Sequence, residues 1–420
     1  MRASIYKSEL EGRVPAPSSK SYTLRGLICA ALAKGESQIV QPLGSDDTAA
    51  AIDVLAKVGI SVLEDKNCWR VKGEGLREPT EDLFCNESAV TLRFMTAISA
   101  LIPGQCRLTS ASSLSGRPIQ PMIEAMNQLG IDCHQDEDKS ILVKGGKLRG
   151  GVTELAGNIS SQFVSALLLI SPLTDEETRI RLTTALESQP YVMMTIECLE
   201  QFGIRVEVSS DFREYTTAKQ SYRPTVYGVE GDWSSASYLL ALGALSGRVE
   251  VENLNQASLQ GDKAIVEFLR EMGASITVSE NTVSAKRSKL EAIKADLTEC
   301  TDLLPTVAVL AAAAEGTSEL RGIERARLKE SDRPSALSEG LQKMGIKVTE
   351  EKNRLTITGS PARGALIDTR GDHRIAMAFS LLGSVVSNTV IDHAECVSKT
   401  YPEYWETLKS LGGEVKIDEE

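Results

Sequence analysis

The stretch LAKVGISV at residues 55–62 contains a helical segment, a glycine and then a strand-like alternation. A glycine directly after an amphipathic helix is a common helix stop, because glycine adopts the left-handed backbone conformation without strain. The same pattern returns five more times along the chain. The stop glycines are 67 to 73 residues apart: Gly59, Gly130, Gly203, Gly273, Gly345 and Gly412. A period of this kind indicates internal repeats.

A second series of short polar segments runs in step with the glycines, and each segment opens a more apolar helix. Helical stretches such as FVSALLLI (163–170) are apolar nearly all round, so we predict that they are buried. Each repeat therefore reads as strand, helix, strand, helix and two strands. The polar segments are SSKS (18–21), NES (86–88), SSQ (160–162), DWSS (232–235), CTD (300–302) and GDHR (371–374).

A chain of 420 residues with six repeats is too long to pack around one core, and each repeat is too short to form a domain by itself. The fold class predicted is α/β (α+β), with two domains that each pack three βαβαββ units around buried helices. The boundary between the two domains is expected near YRPTVYGVEGDW (222–233), where the third repeat ends and the fourth begins. The N-terminal strand RASIYKS (2–8) is expected to pair with the last repeat.

Composition and charge exclude several classes of partner. The chain is 42% hydrophobic and 25% charged, which is typical of a soluble globular protein, and its formal charge of −12 disfavours nucleic acid and anionic membranes. Its eight cysteines never form C-x-x-C, and no cysteine or histidine spacing suggests a metal site. Without a long apolar stretch or a hydrophobic leader, we expect a cytoplasmic protein without a membrane or nucleic-acid partner.

The helix starts hold the residues that can carry chemistry. Lys20 and Ser21 lie at the start of the first helix, where unpaired backbone N–H groups and the helix dipole favour an anion. If the repeats share one orientation, these starts line one side of each domain and face a cleft. The cations and polar residues are Lys20, Arg25, Arg117, Lys329, Arg333, Arg374 and Lys399, with Ser21, Ser160, Ser161, Gln162 and Ser188. Such a set of cations and hydrogen-bond donors can bind ligands that carry phosphate and carboxylate groups.

Each of these residues also has a simpler interpretation. Arg333 beside Asp332, and Arg374 near Asp372, can be local ion pairs at a helix start. Asp302 can be a plain helix cap, and Glu330 a solvated acid in a first turn. The residues by themselves leave these alternatives open.

Seven motifs, in this order and at these intervals, resemble the EPSP synthase (5-enolpyruvylshikimate-3-phosphate synthase, or 3-phosphoshikimate 1-carboxyvinyltransferase) family from Ala3 to about Gly413. They are SSKSYTLR (18–25), SGRPI (115–119), SSQF (160–163), SQPY (188–191), LKESDR (328–333), GDHRIAMAF (371–379) and SKTYPEY (398–404). The resemblance implies the inside-out barrel of the enolpyruvyl transferases. It places domain 1 at 17–227, domain 2 at 1–16 and 228–420, and the active site in the interdomain cleft.

The resemblance also implies a reaction of the shikimate pathway to chorismate and aromatic amino acids. The enolpyruvyl group of phosphoenolpyruvate passes to the 5-hydroxyl of shikimate 3-phosphate, giving EPSP and phosphate, with no metal or cofactor and in a monomer. Domain 1 would mainly bind shikimate 3-phosphate and domain 2 phosphoenolpyruvate. The methylene carbon of phosphoenolpyruvate is protonated, the hydroxyl attacks C2, and the tetrahedral ketal loses phosphate, which requires two proton-transfer groups and a cationic clamp.

Roles follow from the matched motifs. Asp302 resembles the base near the 5-hydroxyl, Glu330 the acid at the methylene carbon, and Lys20 the catalytic residue between the two substrates. The expected shikimate 3-phosphate contacts are Lys20, Ser21, Arg25, Ser160, Ser161, Gln162, Ser188, Asp302 and Lys329. The expected phosphoenolpyruvate contacts are Lys20, Ala89, Arg117, Gln162, Arg333, Arg374 and Lys399.

The sequence departs from the family pattern at two places. ESAVTLR (87–93) has Ala89 where the family has a glycine beside the phosphoenolpyruvate site, and Val90 where it has a threonine. In the family, the inhibitor glyphosate uses the space beside this glycine. The methyl group of Ala89 would narrow that space, so we expect glyphosate to inhibit this protein weakly. Arg325 replaces a family asparagine that contacts shikimate.

Two alternative functions make different predictions about the sequence. An enolpyruvyl transferase for UDP-N-acetylglucosamine carries a Cys or Asp in the loop before the R-P segment, but SASSLSGRPI (110–119) has neither. A scaffold protein without activity would lose Lys20, Asp302, Glu330 or Lys399, and all four are present.

Overall fold

The structure is a computed structural model and describes residues 1–114, 116–146 and 148–418. Its contacts divide the chain into two compact units. The terminal unit comprises Met1–Pro17 and Glu230–Glu420, and the central unit comprises Ser18–Val229.

Helices and strands alternate along the described chain as the repeat predicts. The helices are α1 Lys20–Leu32, α2 Asp46–Lys57, α3 Ala89–Ser99, α4 Gln120–Gln128, α5 Ser161–Ile170, α6 Gln189–Gln201, α7 Trp233–Ser246, α8 Ile265–Glu271, α9 Leu304–Ala313, α10 Arg333–Lys343, α11 His373–Gly383 and α12 Tyr404–Ser410. The strands are β1 Arg2–Ile5, β2 Glu11–Pro15, β3 Gly35–Val40, β4 Ser61–Asp65, β5 Cys68–Gly73, β6 Leu83–Phe84, β7 Gly104–Thr109, β8 Asp132–Gln135, β9 Ile141–Gly145, β10 Gly151–Leu155, β11 Thr178–Leu182, β12 Glu207–Val208, β13 Glu214–Thr217, β14 Val226–Gly228, β15 Arg248–Glu252, β16 Ser275–Ser279, β17 Thr282–Lys286, β18 Lys294–Asp296, β19 Thr317–Arg321, β20 Lys347–Glu351, β21 Arg354–Thr358, β22 Leu366–Asp368, β23 Thr389–Asp392 and β24 Val415–Asp418.

Six four-stranded sheets repeat one topology within the described residues. In the central unit their strand orders are β14-β3-β5-β4, β6-β7-β9-β8 and β10-β11-β13-β12. In the terminal unit the orders are β2-β15-β17-β16, β18-β19-β21-β20 and β22-β23-β1-β24. Each sheet has one parallel pair, such as β10 with β11, and two antiparallel pairs, such as β11 with β13. The predicted βαβαββ unit is confirmed.

Three strands leave the simple chain order. β1 pairs with β23 and β24, with Ala3 opposite both Ile391 and Ile417, which confirms that the N-terminal strand joins the last repeat. The strand before α1, β2, pairs with β15 in the terminal unit. The strand before α7, β14, pairs with β3 in the central unit. The pairing partners of β2 and β14 were not predicted, because a strand's own sequence does not specify its neighbour.

The first helix of each repeat forms the core, as predicted. In α9 every residue from Leu304 to Ala312 is buried, and α9 packs against α7 and α11. The central unit has the equivalent arrangement of α1, α3 and α5. Each second helix ends at a stop glycine, and the φ angles of these six glycines lie between 81° and 94°. In that conformation the N–H of Gly59 donates to the carbonyl of Ala56 and closes the end of α2.

Candidate active site

The starts of three helices meet within the terminal unit. Asp302 lies on the short 3₁₀ helix Thr301–Leu303 that leads into α9, while Arg333 and Arg374 lie in the first turns of α10 and α11. These helices pack against one another, so residues far apart in sequence come together. We call the group the Arg333 cluster: Asp302, Lys329, Glu330, Arg333, Asp372 and Arg374.

The guanidinium of Arg333 binds three carboxylates, and its side chain is only 1% exposed. Nε donates to Asp372 at 2.8 Å, Nη1 to Asp302 at 2.8 Å, and Nη2 to Glu330 at 2.6 Å. The planar guanidinium with its five donors makes this geometry possible, whereas a lysine ammonium is a point charge. Burial lowers the pKa of Arg333, but the charges of Asp372, Glu330 and Asp302 outweigh it and raise the pKa.

The simpler local interpretation of Arg333 is wrong. Its sequence neighbour Asp332 caps α10, accepting from the backbone N–H of Ser335 at 3.1 Å, and it also binds Arg327 at 3.0 Å. Asp372 does cap α11, accepting from the N–H of Arg374 at 2.9 Å. Its ion pair with Arg333 was not predicted, because the two residues lie 39 positions apart.

Asp302 is a carboxylate surrounded by cations rather than a plain helix cap. Besides Arg333, it accepts from Arg374 Nη2 at 3.1 Å and lies 3.4 Å from Lys329 Nζ. Burial raises the pKa of Asp302, but the charges of Arg374, Lys329 and Arg333 outweigh burial and hold the pKa well below its usual value. Burial in turn lowers the pKa of Lys329. The cluster thus holds an ionised acid next to cations that can bind anions.

In the central unit the start of α1 carries a buried ion pair. Ser19 caps the helix, and Lys20 Nζ lies 2.8 Å from Asp47 Oδ2 on α2. Lys20 is 14% exposed and Asp47 only 4%, so this lysine is held in a largely buried ion pair. Asp47 was not among the predicted site residues. The ion pair with Asp47 fixes the position of the Lys20 ammonium at the start of α1.

Arg25 uses its donors inside the protein. Nε donates to Thr195 Oγ1 at 2.8 Å, Nη1 to the Ser21 carbonyl at 2.9 Å, and Nη2 to the Tyr191 carbonyl at 3.0 Å. These bonds tie α1 to α6, and burial lowers the pKa of Arg25. Ser188, just before α6, has a left-handed backbone with φ 54°, which is costly for a residue other than glycine and is often found at functional sites. The substrate contacts expected of Arg25 and Ser188 stay predictions.

Arg93 organises the start of α5. Its Nη1 donates to Gln162 Oε1 at 2.6 Å and to Ser160 Oγ at 3.2 Å, and its guanidinium lies 5.0 Å from the Phe163 ring centre. Arg93 was not predicted as a site residue, although it ends the ESAVTLR segment. Ala89 and Arg117 line a small hollow with Arg93.

The structure therefore places the predicted residues in two sets. The central unit holds Lys20, Ser21, Arg25, Ala89, Arg117, Ser160, Ser161, Gln162 and Ser188. The terminal unit holds Asp302, Lys329, Glu330, Arg333, Arg374 and Lys399, the last of which is buried at the end of the 3₁₀ helix Ala394–Lys399. In the residues that the structure describes, no His, Cys, Asp and Glu group is arranged to hold a metal ion. Likewise, no helix of the described chain is long and apolar enough to cross a membrane.

Two solved structures share this fold. An EPSP synthase from Acinetobacter baumannii matches with a TM-score of 0.85 at 24% identity, over 99% of this chain and 100% of that one. The enolpyruvyl transferase NikO from Streptomyces tendae matches with a TM-score of 0.81 at 18% identity, over 99% and 98% of the two chains. The fold is that of the enolpyruvyl transferases.

Sequence comparison narrows this class. The family model for EPSP synthase (3-phosphoshikimate 1-carboxyvinyltransferase) matches residues 6–408. The 3-phosphoshikimate 1-carboxyvinyltransferase of Dehalococcoides mccartyi is 48% identical over 100% of both chains, and that of Methanosarcina mazei is 43% identical over 99% of both. The chain belongs to the EPSP synthase family.

Proposed function

We propose that this chain transfers the enolpyruvyl group of phosphoenolpyruvate to the 5-hydroxyl of shikimate 3-phosphate, giving EPSP and phosphate. The Arg333 cluster is the observation that carries the proposal. It places Asp302 and Glu330, two of its three acids, among Lys329, Arg333 and Arg374, in a chain of the EPSP synthase family. That is the combination of proton-transfer groups and fixed cations that the reaction requires.

The ion pairs of the cluster suggest how binding prepares the acids. A substrate carboxylate on Arg333 and Arg374 competes for donors that otherwise bind Glu330 and Asp302. With part of the cationic charge taken up by substrate, the pKa of Asp302 rises from its low value towards that of a useful base. Glu330, freed from Arg333, takes up a proton from solvent and can then deliver it to the methylene carbon. Binding and acid–base activation are thus coupled through the same guanidinium groups.

The remaining residues bind the two anionic substrates in this proposal. Phosphoenolpyruvate is bound by Lys20, Arg117, Gln162, Arg333, Arg374 and Lys399 beside Ala89. Shikimate 3-phosphate is bound by Lys20, Ser21, Arg25, Ser160, Ser161, Gln162, Ser188, Asp302 and Lys329. In the central unit, the support is a positioned lysine and two capped helix starts, those of α1 and α5. We further propose a monomer that acts in the cytoplasm, which light scattering and cell fractionation would test.

The function is tested by phosphate release from phosphoenolpyruvate. We expect release with shikimate 3-phosphate and none with shikimate or with UDP-N-acetylglucosamine as the acceptor, because the proposed cationic set requires the 3-phosphate. EPSP should accumulate in equal amount to phosphate. Release that does not depend on shikimate 3-phosphate would contradict the proposal, and so would a faster reaction with the nucleotide sugar.

Ala89 gives a prediction about inhibition by glyphosate. Ala89 is 8% exposed, begins α3 and lines the hollow that contains Arg117. An extra methyl group in a packed site costs about 1–3 kcal/mol, and the longer inhibitor should experience this cost more than phosphoenolpyruvate. We therefore expect Ala89→Gly to lower the glyphosate inhibition constant by about tenfold or more, with a smaller change in KM for phosphoenolpyruvate. Equal inhibition constants for the parent and the variant would contradict this.

A further inference from the structure

One buried carboxyl group beside the Arg333 cluster has no part in the proposed reaction. Asp262 lies on the 3₁₀ helix Gly261–Ala264 and is 2% exposed. One of its oxygens accepts a hydrogen bond from Ser234 Oγ, in the first turn of α7. The other oxygen, Oδ1, has no hydrogen-bond partner in the part of the chain that the structure describes. An ionised carboxylate in this position would be poorly compensated.

The groups that face Asp262 come from the elements packed around the start of α7. Helix α7 contacts the 3₁₀ helices Gly261–Ala264 and Thr301–Leu303 and also α11. The charges of Asp302, Asp232 and Arg374 interact with the Asp262 carboxyl. The charge of Asp262 in turn affects the pKa of the Cys300 thiol. Burial and the charge of Asp302 raise the pKa of Asp262 to about 7, although Arg374 opposes the shift.

The charge balance of the site depends on this proton. Three cations of the Arg333 cluster meet three carboxylates, so the cluster is balanced before Asp262 is counted. An ionised Asp262 adds a negative charge that attracts Arg374 and repels an incoming anion. A protonated Asp262 adds none. The same residue can therefore favour or oppose binding of an anionic substrate.

We propose that Asp262 is a positioning residue that, while it holds a proton, leaves Arg374 available to the carboxylate of phosphoenolpyruvate, and that its ionisation withdraws Arg374 from that role. This inference rests on the proposed function, which assigns Arg374 to phosphoenolpyruvate. The proton that Asp262 loses passes to solvent, and no other bond changes.

Two measurements on the full chain test the proposal, using Asp262→Asn. For stability, the unfolded chain loses this proton near pH 3.8 and the folded chain near pH 7. The folded state therefore binds more protons in that interval, and stability falls as pH rises through it. We expect the thermal stability of Asp262→Asn relative to the parent to rise between about pH 4 and about pH 7 and to stay level above that. For catalysis, the ratio of parent to variant KM for phosphoenolpyruvate should be level below pH 7 and rise by up to about tenfold per pH unit above it.

The ratio of KM values removes the titration of the substrates themselves, since both proteins meet the same substrate ions. Glu280→Gln, which changes an exposed carboxyl in the turn between β16 and β17, should follow the parent in both measurements. If Asp262→Asn does not fold, Ser234→Ala serves instead. It removes the hydrogen bond to the ionised form, so both midpoints should move to higher pH. A stability difference without pH dependence overturns the proton-holding role, even if the enzyme lacks the proposed activity. A flat KM ratio in an active enzyme overturns the coupling to Arg374.

Discussion

Glu330→Gln and Asp302→Asn should each lower turnover by about 10²–10⁴-fold at saturating substrates, the usual contribution of a positioned proton-transfer group. Both variants keep the shape of the side chain and an oxygen that can still accept from Arg333, which now binds Glu330 at 2.6 Å and Asp302 at 2.8 Å. What each variant loses is the ability to carry a proton. Steady-state kinetics of phosphate release would give the turnover, and thermal unfolding would show that the variants are folded.

A matched control separates proton transfer from a change of surface charge. Glu324→Gln removes an acid in the same segment, but its carboxylate pairs with Lys352 at the surface and is 51% exposed. Its turnover should match that of the parent. A rate near the parent's in Glu330→Gln or in Asp302→Asn would remove that residue from the proposed mechanism. If both substitutions changed KM but not turnover, the cluster would bind substrate without transferring protons.

The repeat architecture was predictable because local sequence signals determine it. Gly59 and its counterparts supply the left-handed helix stops, and Leu304–Ala312 is too apolar to lie anywhere but in a core. Both signals belong to short stretches that can be recognised one at a time. The pairing of β2 with β15 and of β14 with β3 was not predictable in this way, since the pairing partner of a strand depends on the whole topology.

The candidate site was predicted as a group of residues but not as a network. The family resemblance supplied Asp302, Glu330 and Arg333, but the sequence left open a local pair of Arg333 with Asp332. The structure instead joins Arg333 to Asp372, 39 positions away. Asp262 carries no sequence signal of its unusual position, because burial and facing charges arise only in the folded chain. Long-range ion pairs between helix starts are the part of this site that short motifs do not specify.

Arg333 should matter for stability as much as for binding, and Arg333→Met should lower the free energy of unfolding by about 3–5 kcal/mol. The substitution removes the shared partner of three carboxylates, of which Asp372 is 0% exposed and the other two are 14% exposed. Breaking a buried pair from one side leaves a charge without compensation, which costs more than the pair itself contributed. Arg321→Met is the matched control: Arg321 pairs with Glu319 but is 60% exposed, so its loss should cost at most about 1 kcal/mol.

The pH dependence distinguishes the loss of charge compensation from a simple packing defect. In the parent, the lowered pKa of Asp302 contributes stability that is present above the unfolded value of about 3.9 and is lost as pH falls through the folded value. In Arg333→Met, the uncompensated carboxylates can instead take up protons as pH falls, which relieves the penalty. The stability difference between parent and variant should therefore be largest near neutral pH and shrink in acid. Urea unfolding at several pH values would measure it, and a difference that stays constant with pH would mean that the variant loses packing rather than charge compensation.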